Sequence, residues 1–151
     1  MTEETREFET SMKDAAELHG HLGPFLVIGV RMGKVARQVL SSGNEESRGL
    51  RATVRIPCHT PFSCVLDGIQ SATHCTIGNQ RLRVKKSRRK ITAQFETKDS
   101  DKILLISVHP KIVEELQDKM SKGITSEYLA ETIASTPEHQ LFKFNVTTKR
   151  R

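Results

Sequence analysis

Two glycines four residues apart, Gly29 and Gly33, lie inside a stretch that is otherwise spaced as an amphipathic helix. Pro24 opens the stretch at a position where its missing N–H costs nothing. Phe25, Ile28, Met32, Val35, Ala36 and Val39 then follow at helical spacing. Glycine inside a helix costs about 1 kcal/mol relative to alanine. Two on one face therefore mark a place where another element approaches closely, either a neighbouring strand or a second subunit. Ser41-Ser42-Gly43-Asn44 is expected to end this helix.

The same reasoning partitions the rest of the chain. Phe8, Met12, Ala15 and Leu18 predict a short helix from about 8 to 18, ended at Gly20, which permits a turn. Leu50, Ala52, Val54 and Ile56 alternate as a strand. Thr60-Pro61 reads as the cap and first turn of a helix over 61–74. Strands are expected at about 81–87, 90–97 and 102–108, with Asp99-Ser100-Asp101 as the turn between the last two. Helices should follow from Pro110 and over 126–134, and Leu141, Phe142, Phe144 and Val146 suggest a closing extended segment. This order predicts one α+β domain over 1–151: N-terminal helices, a mixed β-sheet of about four strands and C-terminal helices.

With 151 residues the chain can bury a core, and no apolar run approaches the roughly 20 residues that span a bilayer. Met1-Thr2-Glu3-Glu4-Thr5 is acidic and unlike a secretory leader. Cys58, Cys64 and Cys75 are too few for a disulfide framework. A cytoplasmic location without membrane association is expected. The net charge of +6 is concentrated in Arg81, Arg83, Lys85, Lys86, Arg88, Arg89 and Lys90 and in Lys149-Arg150-Arg151. Such blocks can neutralise nucleic-acid phosphates. Here Leu82 and Val84 alternate with the cations, and no aromatic ring interleaves them. A solvated strand is therefore preferred over nucleic-acid binding through residues 81–90.

Two segments carry donor atoms suited to chemistry. His19-Gly20-His21-Leu22-Gly23-Pro24 places two imidazoles on a turn at a helix start, and imidazole is the commonest metal ligand. In Cys58-His59-Thr60-Pro61-Phe62-Ser63-Cys64, the last residue falls in the first turns of a helix, where the dipole and free N–H groups favour a thiolate. Asp67 and Ser71 share its face. An unbroken helix would hold the α-carbons of Cys64 and Cys75 roughly 16 Å apart, too far to share an ion whose bonds to sulfur are about 2.3 Å long, so Cys75 reads as a helix-end residue, buried or lining a different part of a pocket. Two imidazoles and one thiolate would leave a fourth position open on a tetrahedral Zn²⁺.

Three ordered motifs resemble the FmdE-like family of formylmethanofuran dehydrogenase: the His19–Pro24 segment, Cys64-Val65-Leu66-Asp67-Gly68-Ile69-Gln70, and Thr73-His74-Cys75-Thr76-Ile77-Gly78-Asn79-Gln80-Arg81-Leu82. Pro137-Glu138-His139-Gln140-Leu141-Phe142-Lys143 is similar to the family's end. The resemblance covers nearly the whole chain. It implies an α-β-α-β-β-β core, often dimeric, a metal-associated His/Cys cluster, and an oxidoreductase complex as partner. Some relatives carry a zinc finger at the C-terminus; the lack of paired cysteines in the last residues here leads to the expectation that this module is absent. Gly23 stands where the first motif of the family has a cysteine, His74 replaces a glycine, and Asn79-Gln80-Arg81 replaces Lys-Gly-Asn.

The expected function is binding of a divalent metal, zinc by preference, and of a small ligand. His19, His21 and Cys64 are the expected ligands, and Cys58 and His59 stand as substitutes for the missing motif cysteine. Gln70 and Cys75 are expected beside a bound cofactor, with Asp67 or Gln70 orienting the ligand shell. No reaction is assigned, and Cys64 and Asp67 are the candidate catalytic groups. The alternatives are a non-catalytic accessory or basic adaptor subunit whose site has decayed, and nucleic-acid binding through residues 81–90.

Overall fold

The computed structural model describes residues 2–40, 49–98 and 100–149. Helices α1 (Glu3–His19) and α2 (Pro24–Leu40) lead into β1 (Arg51–Ile56), α3 (Cys64–Thr73), β2 (Leu82–Lys86), β3 (Thr92–Glu96) and β4 (Lys102–Val108). Helices α4 (Pro110–Ser121), α5 (Ser126–Ser135) and α6 (Glu138–Leu141) precede the last strand, β5 (Phe142–Thr148). The strands form one sheet in the order β2-β1-β3-β4-β5, with β1 and β2 parallel and the other pairs antiparallel. The architecture is α+β with five strands. The closing extended segment is the additional strand, pairing with β4 along its whole length.

Other differences also have local causes. The first helix starts at Glu3 because the Thr2 hydroxyl accepts from the Thr5 amide at 3.1 Å, and Glu3 and Glu4 suit the positive end of the helix dipole. Apolar spacing does not register that cap. The third helix starts three residues later than expected. Residues 61–63, after a cis Thr60–Pro61 peptide, form a tight turn in which the Cys64 amide donates to the Pro61 carbonyl at 3.2 Å. Ser41–Asn44 and Asp99 lie outside the described residues.

The helices cover one face of the sheet, as the burial alternation shows. Ala52, Val54, Ile56, Leu82, Ala93, Phe95, Leu104 and Ile106 are buried, while Arg51, Arg55, Arg83, Lys85 and Gln94 are exposed on the other face or at its edge. The close approach at Gly29 and Gly33 is made by α3 and not by a strand or a second subunit. A Cβ on Gly29 would lie 2.1 Å from the Val65 carbonyl oxygen, and one on Gly33 would lie 2.7 Å from the Ala72 Cβ. On α3, a Cβ on Gly68 would lie 2.2 Å from the Leu26 carbonyl oxygen. Helices α2 and α3 thus meet backbone to backbone. The Arg31 guanidinium adds a tie from α2 to the end of α5, donating to the carbonyls of Ile133 (2.9 Å) and Thr136.

Candidate functional site at the junction of helices α1, α2 and α3

Gly20 ends α1 at φ 102°, with its amide bonded to the Ala16 carbonyl at 2.8 Å, so His19 closes one helix and His21 follows on the turn. The Gly23 carbonyl accepts the Val27 amide at 3.2 Å and starts α2. Because α3 lies against α2, its first residue, Cys64, comes to the same end of the helix layer. His19, His21, Gly23, Pro24 and Cys64 line one pocket of about 30 Å³, with Met120 and Ser126 also contributing. That is room for one or two water-sized groups.

The strongest polar contact here joins α1 to α3. His19 Nδ1 lies 2.7 Å from Asp67 Oδ2. Gln70 Nε2 donates to the other carboxylate oxygen, Oδ1, at 3.0 Å. An ionised carboxylate only accepts, so the pair assigns the proton to Nδ1 and, in the neutral ring, leaves Nε2 of His19 with a free lone pair. The His19 and His21 rings sit 5.0 Å apart, tilted by 33°. Among the described residues, no three His, Cys, Asp or Glu side chains converge closely enough to hold a metal ion as they stand.

Cys64 departs from the thiolate expected at a helix start. Burial pushes its pKa up, and the neighbouring Asp67 charge pushes the same way; a backbone hydrogen bond offsets this only in part. The Cys64 amide also donates to the Pro61 carbonyl, which competes with a thiolate for that N–H. Cys75 is not at this site. It lies beyond the other end of α3, buried, with its thiol donating to the Leu50 carbonyl at 3.1 Å, and burial raises its pKa too. Cys58 and His59 are exposed and do not line the pocket. The Cys58 thiol lies 3.4 Å from the Ile56 carbonyl, and His59 packs edge-on against Phe62 at 5.2 Å. Met120 and Ser126 carried no sequence signal, being brought in only by the packing of α4 and α5.

Both raised thiols hold their protons more tightly in the folded chain than at the ordinary cysteine value of 9.0. Between that value and the raised ones, the unfolded chain binds fewer protons than the folded chain, so stability falls as pH rises. Urea midpoints should therefore be constant in this respect below about pH 8 and decline above about pH 9. The decline should be shallower in Cys64→Ala/Cys75→Ala, whereas identical slopes would contradict it.

Two imidazoles, a thiol and an orienting carboxylate, gathered by three helices at one end of the helix layer, define an α+β protein with a small junction site. The chain belongs to the FmdE family, described as the molybdenum formylmethanofuran dehydrogenase operon family, whose model matches residues 18–146. A protein of Archaeoglobus fulgidus named "Probable S-adenosyl-L-methionine-binding protein" is 42% identical over 72 residues. That match covers 45% of this chain, and the chain spans only 18% of that relative. The fold is similar to the crystal structure of a tungsten formylmethanofuran dehydrogenase FmdE-like protein from Syntrophus aciditrophicus. The TM-score is 0.65 at 20% identity, covering 95% of this chain and 73% of that one. Among the described residues, no helix is long and apolar enough to cross a membrane.

Proposed function

We propose that the junction site binds a divalent metal ion, zinc by preference, through His19, His21 and Cys64, with a small ligand or water completing the shell. The observation that carries this reading is the His19–Asp67 contact at 2.7 Å. Metal-bound histidines almost always donate their second ring N–H to a carboxylate or carbonyl, which fixes the tautomer and raises the basicity of the ligating nitrogen. Here Asp67 is itself held by Gln70, and the donor set of imidazoles and thiol is one that zinc accepts. Binding must draw the donors together and displace the Cys64 proton, so affinity rises with pH. Bound at this site, the ion would polarise a ligand oxygen. A pocket of about 30 Å³ suits an ion with one small group, and S-adenosyl-L-methionine, named for the relative, far exceeds it.

The test is competitive zinc titration of untagged protein under reducing conditions. His21→Ala and Cys64→Ala should each weaken binding by about tenfold or more, and Asp67→Asn by about tenfold through the orientation of His19. Wild type and Cys64→Ala binding alike would overturn the assignment. A second reading, an accessory subunit with a decayed site, is favoured by Gly23, which leaves a gap where the motif of the family has a thiol. It predicts no zinc binding by wild type.

A further inference from the structure

A second concavity lies on the bare side of the sheet. The connection from β2 to β3 passes over the end of β1, where the Ser87 amide donates to the Ile56 carbonyl at 3.1 Å. The Ser87 hydroxyl holds the loop closed by donating to the Lys90 carbonyl at 2.5 Å. Arg55 and Thr92 are direct neighbours across the β1–β3 pair, both pointing away from the helix layer. The loop and these two residues line an open concavity of about 540 Å³, bordered by Arg55, Ser87, Arg88, Arg89, Lys90 and Thr92. That volume is within the range of small-ligand sites, about 300–1,000 Å³. The lining holds four cations and no carboxylate, and among the described residues none of the four forms an ion pair. Lys85 extends the same charge from the neighbouring strand, in register with Arg55.

Like charges gathered in a concavity repel one another and focus a positive potential into it, which a bound anion relieves. Guanidinium forks match phosphate oxygens in pairs. The cations surround one hollow, whereas a nucleic-acid track would need them spaced along a line with rings to stack the bases. The lining has no aromatic residue, and Glu96 stands opposite Arg51 further along the same strand pair. We infer that the pocket formed by Arg55 and the β2–β3 loop binds a small soluble polyphosphate, either inorganic or the phosphate chain of a nucleotide. It shares no lining residue with the His/Cys pocket and stands independently of the proposal made for that site.

Isothermal titration at low salt with inorganic tripolyphosphate, ATP and a short single-stranded oligonucleotide tests this. Tripolyphosphate should bind the wild-type chain one to one. Arg55→Gln and the double variant Arg88→Gln/Arg89→Gln should each weaken it by about tenfold or more. Lys111→Gln, an exposed cation on α4, should leave it within about twofold, as should Cys64→Ala. ATP binding as tightly as tripolyphosphate would assign recognition to the phosphates alone, and tighter ATP would add a nucleoside contact; either supports the inference. Absence of tripolyphosphate binding, binding unchanged in well-folded Arg55→Gln, or preference for the oligonucleotide would overturn it.

Discussion

Replacing Gly68 by alanine should cost at least about 3 kcal/mol, or leave the chain unfolded, although alanine is the better helix former by about 1 kcal/mol. The added Cβ would sit 2.2 Å from the Leu26 carbonyl oxygen, 2.7 Å from the Val30 nitrogen and 2.9 Å from the Gly29 carbonyl carbon. All three are backbone atoms of α2, so no side chain can rotate away, and the helices must separate. Separation would open the layer holding Leu26, Val30, Val65 and Ile69, all buried. Gly29→Ala should behave alike, because its Cβ would meet the Val65 carbonyl oxygen at 2.1 Å. Gly78→Ala is the control. Its Cβ would lie 3.8 Å from the Thr76 hydroxyl with nothing nearer, and its stability should change by under about 1 kcal/mol. Urea unfolding followed by far-ultraviolet circular dichroism measures all three. A Gly68→Ala protein as stable as wild type would mean that α2 and α3 do not touch along this seam.

Gly23→Cys should tighten zinc binding by at least about tenfold, a gain of about 1.4 kcal/mol. A Cβ at Gly23 would lie 3.4 Å from His21 Nε2 and 3.8 Å from the Ser126 Cβ, ordinary contacts that need no rearrangement. The new thiol would therefore enter the pocket beside an imidazole that already lines it. This restores the donor present at the matching position of the family motif, making two thiols and two imidazoles available, the composition of a closed zinc site. Competition against a chelator under reducing conditions reads the gain. Unchanged affinity in a folded Gly23→Cys protein would contradict the placing of the ion within reach of residue 23.

The sequence carried the periodic parts of this structure well. The alternation of Leu82 and Val84 with Arg83 and Lys85 marked β2 as a strand with one solvated side, and residues 102–108 form β4 at those bounds. The glycine pair in α2 announced a close approach, but its partner lay 39 residues downstream of Gly29 at Gly68. Spacing along one helix cannot name the element that packs on it. The last strand was harder to count as part of the sheet, because the edge leaves Phe144 and Val146 partly exposed.

At the site, both junctions were legible because turn glycines and prolines punctuate them, and His19, His21 and Cys64 do share a pocket. The His19–Asp67 pairing spans 48 residues and follows only from the packing of α1 on α3. The protonation of Cys64 was hidden for the same reason. A helix start favours a thiolate, yet burial, which only packing supplies, outweighs it together with the Asp67 carboxylate on the same helix face. Cys75, which helix geometry separated from Cys64 and read as a helix-end residue, is buried beyond α3 with its thiol donating to the Leu50 carbonyl, away from the pocket in which the motif would have it beside a cofactor.

The absorption spectrum of the untagged chain titrated with Co²⁺ tests the metal assignment most directly, since a thiolate ligand gives an intense sulfur-to-cobalt band that imidazole and carboxylate do not. Wild type should show the band at one equivalent, and Cys64→Ser should lose it while keeping its fold. A wild-type spectrum without the band, or a band undiminished in Cys64→Ser, would contradict the assignment of Cys64 as a metal ligand.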